Sequence, residues 1–310
     1  MRTYITVDGG TTNTRLHLVR DGAVIDTVKR SVGAGIHDPE RLAREAGAAK
    51  EELLLRNGTR EEDVSCILLS GMITSEYGLF PLAHLAAPAG IAELHKGMRQ
   101  VSLPGFSSRP CFFIPGVKIQ GDTLLDTDMM RGEETELVGL MEEKRGACAY
   151  LLPGSHSKLI FTDDGGRIVR FSTMMTGEIA AALSAHTILS DAVKLVGTSL
   201  EEGALLEGFE AVRTRGISEA LFKVRVLKSL CGYGENACYS FYIGAVLSSE
   251  MERVLQSGAK RIVIGGQRSL RLASAAILRA YGNAEIVVLS DEEVKDSVAR
   301  GAVRIYEWTE

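Results

Sequence analysis

The sequence predicts a two-lobed α/β fold, and three observations carry that prediction. A strand, a small-residue loop, a second strand, a Gly-containing turn, a third strand and a helix follow one another near the N-terminus. The same order recurs about 145 residues later. In both copies the Gly/Ser/Thr loop joins two strands. In a Rossmann or P-loop unit it would open a helix, and neither Gly-x-Gly-x-x-Gly nor Gly-Lys-Ser/Thr occurs here. Finally, 310 residues with 45% hydrophobic and 24% charged side chains suit two globular domains of about 150 residues each.

In the first copy, residues 3–7 alternate and then turn apolar, as a strand does. Asp8-Gly9-Gly10-Thr11-Thr12-Asn13-Thr14 is a turn-rich loop, and residues 15–20 alternate again. Asp21-Gly22 signals a hairpin turn into a third strand at 23–32. A helix follows: Asp38 caps it, Pro39 fits its first position, Leu42, Ala46, Ala49 and Leu53 mark one face, and Asn57-Gly58 ends it. Strands at 64–69 and 111–114 come next. In the second copy the strand spans 147–152, the loop is Pro153-Gly154-Ser155-His156-Ser157, and a strand covers 158–162. Asp163-Asp164-Gly165-Gly166 turns into a strand at 167–172 and then a helix at 176–189. The remainder reads as helices at 216–230, 236–256, 269–281 and 292–307, with short strands at 261–264 and 285–289. The lobes are placed at 1–140 and 146–290, with 291–310 packing back onto the first.

Charge and cysteine usage exclude several classes. The 35 basic and 40 acidic residues are interspersed and give a net charge of −5. Without a basic face, neither nucleic acid nor an anionic membrane is an expected partner. Apolar runs such as 262–264 and 66–69 are strand-sized, too short to span a bilayer. The chain enters its first strand with no basic segment followed by a long apolar one, so no signal peptide is read. Five cysteines, at 66, 111, 148, 231 and 238, are odd in number and form no Cys-x-x-Cys. They read as reduced residues of a cytoplasmic protein. His37, His84 and His95 show no metal-ligand spacing.

Chemistry concentrates in a few blocks. Asp8 stands at a strand end, placed to hold hydrated Mg²⁺, a hard cation that keeps most of its waters. Gly9 and Gly10 let the backbone approach a phosphate, and Thr11, Thr12 and Asn13 add donors; the plain alternative is an ordinary Asp-Gly turn. Arg131-Gly132-Glu133-Glu134-Thr135-Glu136 precedes Leu137, Leu140 and Met141, so its acids occupy a first helical turn, where they also complement the helix dipole. In the second loop, Gly154 and Ser155 would offer N–H groups to phosphates, with His156 or Lys158 adding positive charge. The alternative makes His156 a polar loop residue and Lys158 a solvated one. Thr173-Met174-Met175-Thr176-Gly177-Glu178 opens a helix with Thr176 as its cap. Ile262-Val263-Ile264-Gly265-Gly266-Gln267 ends a buried strand in side-chain-free backbone suited to a flat adenine ring, or simply to a packed turn. Tyr239 and Tyr242 read as core.

Two facing hairpin loops are how the actin, hexokinase and Hsp70 fold grips the phosphates of ATP, and the order of elements here is similar to that fold. It implies two actin-like (ribonuclease H-like) lobes with an ATP cleft between them, and a kinase or ATPase. In sugar kinases of this fold the general base follows a Gly at a helix start just before the second unit, the place Glu133 occupies.

Met130-Arg131-Gly132-Glu133-Glu134-Thr135, Pro153-Gly154-Ser155-His156-Ser157-Lys158 and Met175-Thr176-Gly177-Glu178 resemble the signature blocks of 2-dehydro-3-deoxygalactonokinases. Asp8 to Arg15 resembles that family's phosphate loop. Gly71-Met72-Ile73-Thr74-Ser75, Pro115-Gly116, Leu221-Phe222-Lys223-Val224-Arg225 and Ile243-Gly244 also fit, so the likeness covers essentially the whole chain. It departs from the family at Gly9, where an aromatic is common, at Leu79, where a Trp is frequent, and at Gly265-Gly266-Gln267-Arg268. The resemblance implies ATP- and Mg²⁺-dependent phosphorylation of 2-dehydro-3-deoxy-D-galactonate at its 6-hydroxyl, in galactonate breakdown. Glu133 would be the base and Glu134 its support, with Asp128 next in line. Arg15, Arg131 or Lys158 would meet the substrate carboxylate, and Met72 would line the substrate site. The small sugar acid is the expected partner, and a homodimer is an assembly compatible with the resemblance. A kinase for another sugar or keto acid and a non-kinase ATPase switch of the same fold stay open. No long binding domain follows residue 310, which weakens the switch.

Overall fold

The protein is described by a computed structural model over residues 2–141, 146–195 and 197–309. In chain order its first part comprises β1 (Thr3–Gly9), β2 (Thr14–Arg20), β3 (Ala23–Arg30), α1 (Pro39–Arg56), β4 (Cys66–Gly71), β5 (Leu85–Ala86), α2 (Ile91–Gly97), β6 (Arg99–Val101), β7 (Cys111–Phe113), β8 (Val117–Ile119), β9 (Asp128–Met130) and α3 (Glu133–Leu140). The second part comprises β10 (Ala149–Leu152), β11 (Ser157–Thr162), β12 (Ile168–Met174), α4 (Thr176–His186), α5 (Glu202–Arg215), α6 (Ile217–Leu230), α7 (Glu235–Leu255), β13 (Arg261–Ile264), α8 (Arg268–Tyr281), β14 (Glu285–Val288), α9 (Asp291–Val294) and α10 (Ser297–Tyr306).

The duplication read from sequence is present in the sheets. One sheet has the strand order β3-β2-β1-β4-β7-β6, the other β12-β11-β10-β13-β14. In each, the first strand of the unit pairs antiparallel with its hairpin partner and parallel with the strand on its other side. A further parallel strand follows outward in both. No helix follows Asp8-Gly9-Gly10; the chain returns directly as β2, with Gly9 opposite Thr14. A small third sheet, β5-β8-β9, leads into α3.

The chain groups into two compact units. One comprises Met1–Ala147, Thr162–Phe171 and Glu292–Glu310; the other comprises Cys148–Phe161 and Ser172–Asp291. The first unit's core sets Ile5, Val7, Leu16 and Leu18 against Leu42, Ala46, Ala49 and Leu53 of α1. That is the helix face the apolar spacing marked, and Asp38 caps it by accepting from the Arg41 N–H at 2.9 Å. In the second unit α7 is buried along most of its length. Its neighbour α5 approaches so closely that a Cβ on Gly208 would collide with the Phe241 carbonyl.

Three local expectations change. The helix expected at 292–307 is two helices, because Asp296 takes a left-handed conformation (φ 58°) that interrupts the ladder. The helix expected at 176–189 stops at His186. Helix α5 was not expected at all: its buried face is Ala204, Leu205, Gly208 and Phe209, too small and mixed for a clear apolar stripe.

Candidate active site

In the first unit, pairing brings three glycine-rich segments together. Strands β1 and β4 run parallel with Asp8 beside Ser70 and Gly9 beside Gly71. Gly132 packs on the same spot: a Cβ there would lie 3.2 Å from Gly71 Cα. Its φ of 111° also belongs to the region that favours glycine. The Gly-Glu turn therefore starts α3 directly over the end of β4. A Cβ on Gly9 would sit 2.5 Å from Ile73 Cβ and 3.0 Å from its backbone nitrogen, which leaves no room for a side chain there.

Asp8 is largely buried, and loss of solvation holds its pKa above the usual carboxylate range. The half-exposed Arg15 opposes that shift from 3.3 Å, while the charge of Glu133 adds to it. Two carboxylates and the Arg15 guanidinium thus share one neighbourhood. Carboxylate oxygens suit a hard cation that keeps its waters. Among the described residues no group of three or more His, Cys, Asp or Glu could hold a metal by itself.

The β1–β2 loop is braced from behind. Gly10 N–H donates to the Asn13 carbonyl at 2.8 Å, and Ala34 and Gly35 donate to the carbonyls of Gly10 and Thr11 at 3.0 and 2.8 Å. Thr11 and Thr12 are left exposed, and Asn13 Nδ2 donates to the Thr12 hydroxyl at 2.8 Å.

At the start of α3 the two acids divide. Glu133 is partly exposed, and its Oε2 accepts from the Arg131 N–H at 3.2 Å. Glu134 is fully buried and accepts from Gly132 N–H with both oxygens, at 2.8 and 2.9 Å, and from the Thr135 hydroxyl at 3.0 Å. Burial first, and the charge of Glu133 second, push its pKa up to about 7. Arg131 is turned into the protein. It donates to the Thr74 carbonyl (2.8 Å) and hydroxyl (2.5 Å) and to the Leu82 carbonyl (2.7 Å), and it lies 3.2 Å from His84 Nδ1. Burial, with Arg131 and Lys118 nearby, lowers the His84 pKa to about 4, so a neutral ring accepts that bond. Thr74 and His84 thus anchor the turn that starts α3, a role the sequence did not reveal. Met72 is half-buried against the β-sheet core.

In the second unit the loop 153–156 joins β10 to β11, and its neighbours are the other two blocks. Glu178 N–H donates to the Ser155 carbonyl at 3.1 Å, and a Cβ on Gly177 would strike the Gly154 carbonyl. His156 Nε2 lies 2.6 Å from Glu178 Oε2, both side chains being partly exposed. On the other side, Gly265 N–H donates to the Leu151 carbonyl (2.9 Å) and Gln267 N–H to the Pro153 carbonyl (2.7 Å). Gly266 is left-handed (φ 67°), and its carbonyl accepts from buried Arg271 at 3.1 Å. Lys158 is buried, not solvated, with Nζ donating to the His156 carbonyl at 3.2 Å. By contrast, a Cβ on Gly154 would meet no protein atom within 4 Å.

The chain resembles known proteins over nearly its whole length. A protein of Rhizobium meliloti (strain 1021), named probable 2-dehydro-3-deoxygalactonokinase, is 28% identical over 98% of this chain and 97% of its own. The crystal structure of a Sinorhizobium meliloti protein named for the same activity superposes with a TM-score of 0.78 at 24% identity, covering 98% of this chain and 100% of that one. The activator of 2-hydroxyisocaproyl-CoA dehydratase from Clostridium difficile, solved with ADPNP, superposes at 0.54 with 15% identity over 98% and 93% of the two chains. The two superpositions show a shared α/β fold of the actin-like class. Residues 8–305 match the 2-keto-3-deoxy-galactonokinase family, and the chain belongs to that family of carbohydrate kinases.

Proposed function

We propose that this chain transfers the γ-phosphoryl group of ATP to the 6-hydroxyl of 2-dehydro-3-deoxy-D-galactonate, a step of galactonate breakdown in the cytoplasm. The observation that carries the reading is the juxtaposition of Asp8 and Glu133 over the paired ends of β1 and β4. Phosphoryl transfer asks a protein mainly for positioning and charge neutralisation. Glu133, at the start of α3, accepts the hydroxyl proton; Glu134 is spent on the turn and holds it in shape. Thr11, Thr12 and Asn13 in one loop, and Gly154, Ser155 and His156 in the other, bind phosphate oxygens, with Gly265 and Gly266 under the adenine. Mg²⁺, held through Asp8, would supply neutralisation of phosphate charge. Arg15, half-exposed, is the cation for the substrate carboxylate, since Arg131 and buried Lys158 donate into the protein. The cysteine pattern supports a reducing compartment.

A coupled ADP-release screen across 2-keto-3-deoxy sugar acids, with the product identified by mass and NMR, tests this. ADP release that requires 2-dehydro-3-deoxygalactonate and yields its 6-phosphate is expected. Faster turnover with another acceptor would reassign the substrate, and release without any acceptor would point to an ATPase switch.

A further inference from the structure

Glu250 lies toward the C-terminal end of α7. It is 2% exposed, and neither carboxyl oxygen meets a protein donor with hydrogen-bond geometry. A buried acid without partners is costly, and an apolar side chain of similar size is ordinarily the more stable choice. The hydroxyls of Ser157 and Thr176 lie close enough to favour the ionised form of Glu250, against the dominant effect of burial, which raises its pKa. Ser157 is where the 153–156 loop returns to strand, and its hydroxyl lies 3.4 Å from the Gly154 N–H. Thr176 is the first residue of α4, whose Gly177 and Glu178 pack on Gly154 and Ser155.

We propose that Glu250 is a positioning residue for ATP binding: from α7 it supports both the hairpin loop, through Ser157, and the start of α4, through Thr176, and so sets the loop against the nucleotide phosphates. This rests on reading 153–158 as a phosphate-binding loop. The two oxygens of the Glu250 side chain are enough to bridge two hydroxyls. Glutamine can do the same, whereas leucine cannot.

The test compares Glu250→Leu, Glu250→Gln and Gly154→Val by ATP calorimetry without acceptor, steady-state kinetics and thermal unfolding. The leucine variant is expected to weaken ATP binding about tenfold, the worth of one net hydrogen bond. Its kcat at saturating ATP and its melting temperature should not fall, and glutamine should restore ATP affinity. A leucine variant that melts earlier but binds ATP normally would overturn the proposal, as would a glutamine variant as weak as leucine. If Gly154→Val weakens ATP binding and Glu250→Leu does not, this inference alone fails; if neither does, the phosphate-loop reading fails with it. Should the leucine variant not fold, Glu250→Asp, one methylene shorter, replaces it with the same expected loss.

Discussion

Both carboxylate oxygens of Glu134 converge on one donor, the backbone N–H of Gly132, two residues upstream, at 2.8 and 2.9 Å. That N–H belongs to a left-handed glycine no intrahelical bond could serve. Glu134 therefore closes the turn from below while Glu133, about 100° further round the helix, stays partly exposed. Neighbouring acids of the same type have separate tasks because only one is buried.

The buried acid makes stability depend on pH. The pKa of Glu134 rises from the usual 4.5 to about 7 in the fold, so folding takes up a proton between those values. A raised acid pKa means stability is greatest below the unfolded value and declines as pH rises through the folded one. The full difference is roughly 3 kcal/mol at about 1.4 kcal/mol per unit. Urea unfolding of wild type and Glu134→Gln at about pH 5 and about pH 8 should show wild type losing more stability with rising pH than the variant. Equal losses would contradict the assignment.

Asp8→Asn should leave folding intact, because it removes a charge that burial and Glu133 already disfavour. Turnover should fall on the order of 10²-fold, since the carboxylate proposed to hold the hydrated cation is gone. The Mg²⁺ dependence of ADP release, read beside the melting temperature, checks both halves.

The turn at the start of α3 also depends on how that helix is seated. A Cβ on Gly301 of α10 would collide with the Thr135 carbonyl, and one on Gly139 would collide with the Ser297 carbonyl. Gly301→Val should therefore destabilise the protein by about 1–3 kcal/mol, the usual cost of overpacking. Denaturant midpoints measure it directly, and a neutral result would deny the close α3–α10 contact.

What the sequence made legible was local. The two hairpin loops, the Asp38 cap and the apolar face of α1 all lie within a few residues of their signals. The two-residue strand β5 and the three-residue strands β8 and β9 are too short for any period, and the glycine-bearing face of α5 blurs its stripe. Of the candidate site, the two loop sequences and the Gly-Glu turn at the start of α3 were readable. The fate of Arg131 was not, because its partners Thr74, Leu82 and His84 lie 57, 49 and 47 residues away. Glu250 was equally hidden, since only the tertiary burial of α7 separates it from a surface acid.

The central claim is that Glu133 takes the proton from the accepting hydroxyl. Glu133→Gln keeps the shape of the side chain and removes the acceptor, so kcat at saturating ATP should fall by about 10²–10⁴-fold, the usual contribution of a general base. ATP affinity should be unchanged, and Glu134→Gln should cost less. If Glu134→Gln proves the more damaging, or Glu133→Gln turns over at the wild-type rate, the account of this site is wrong.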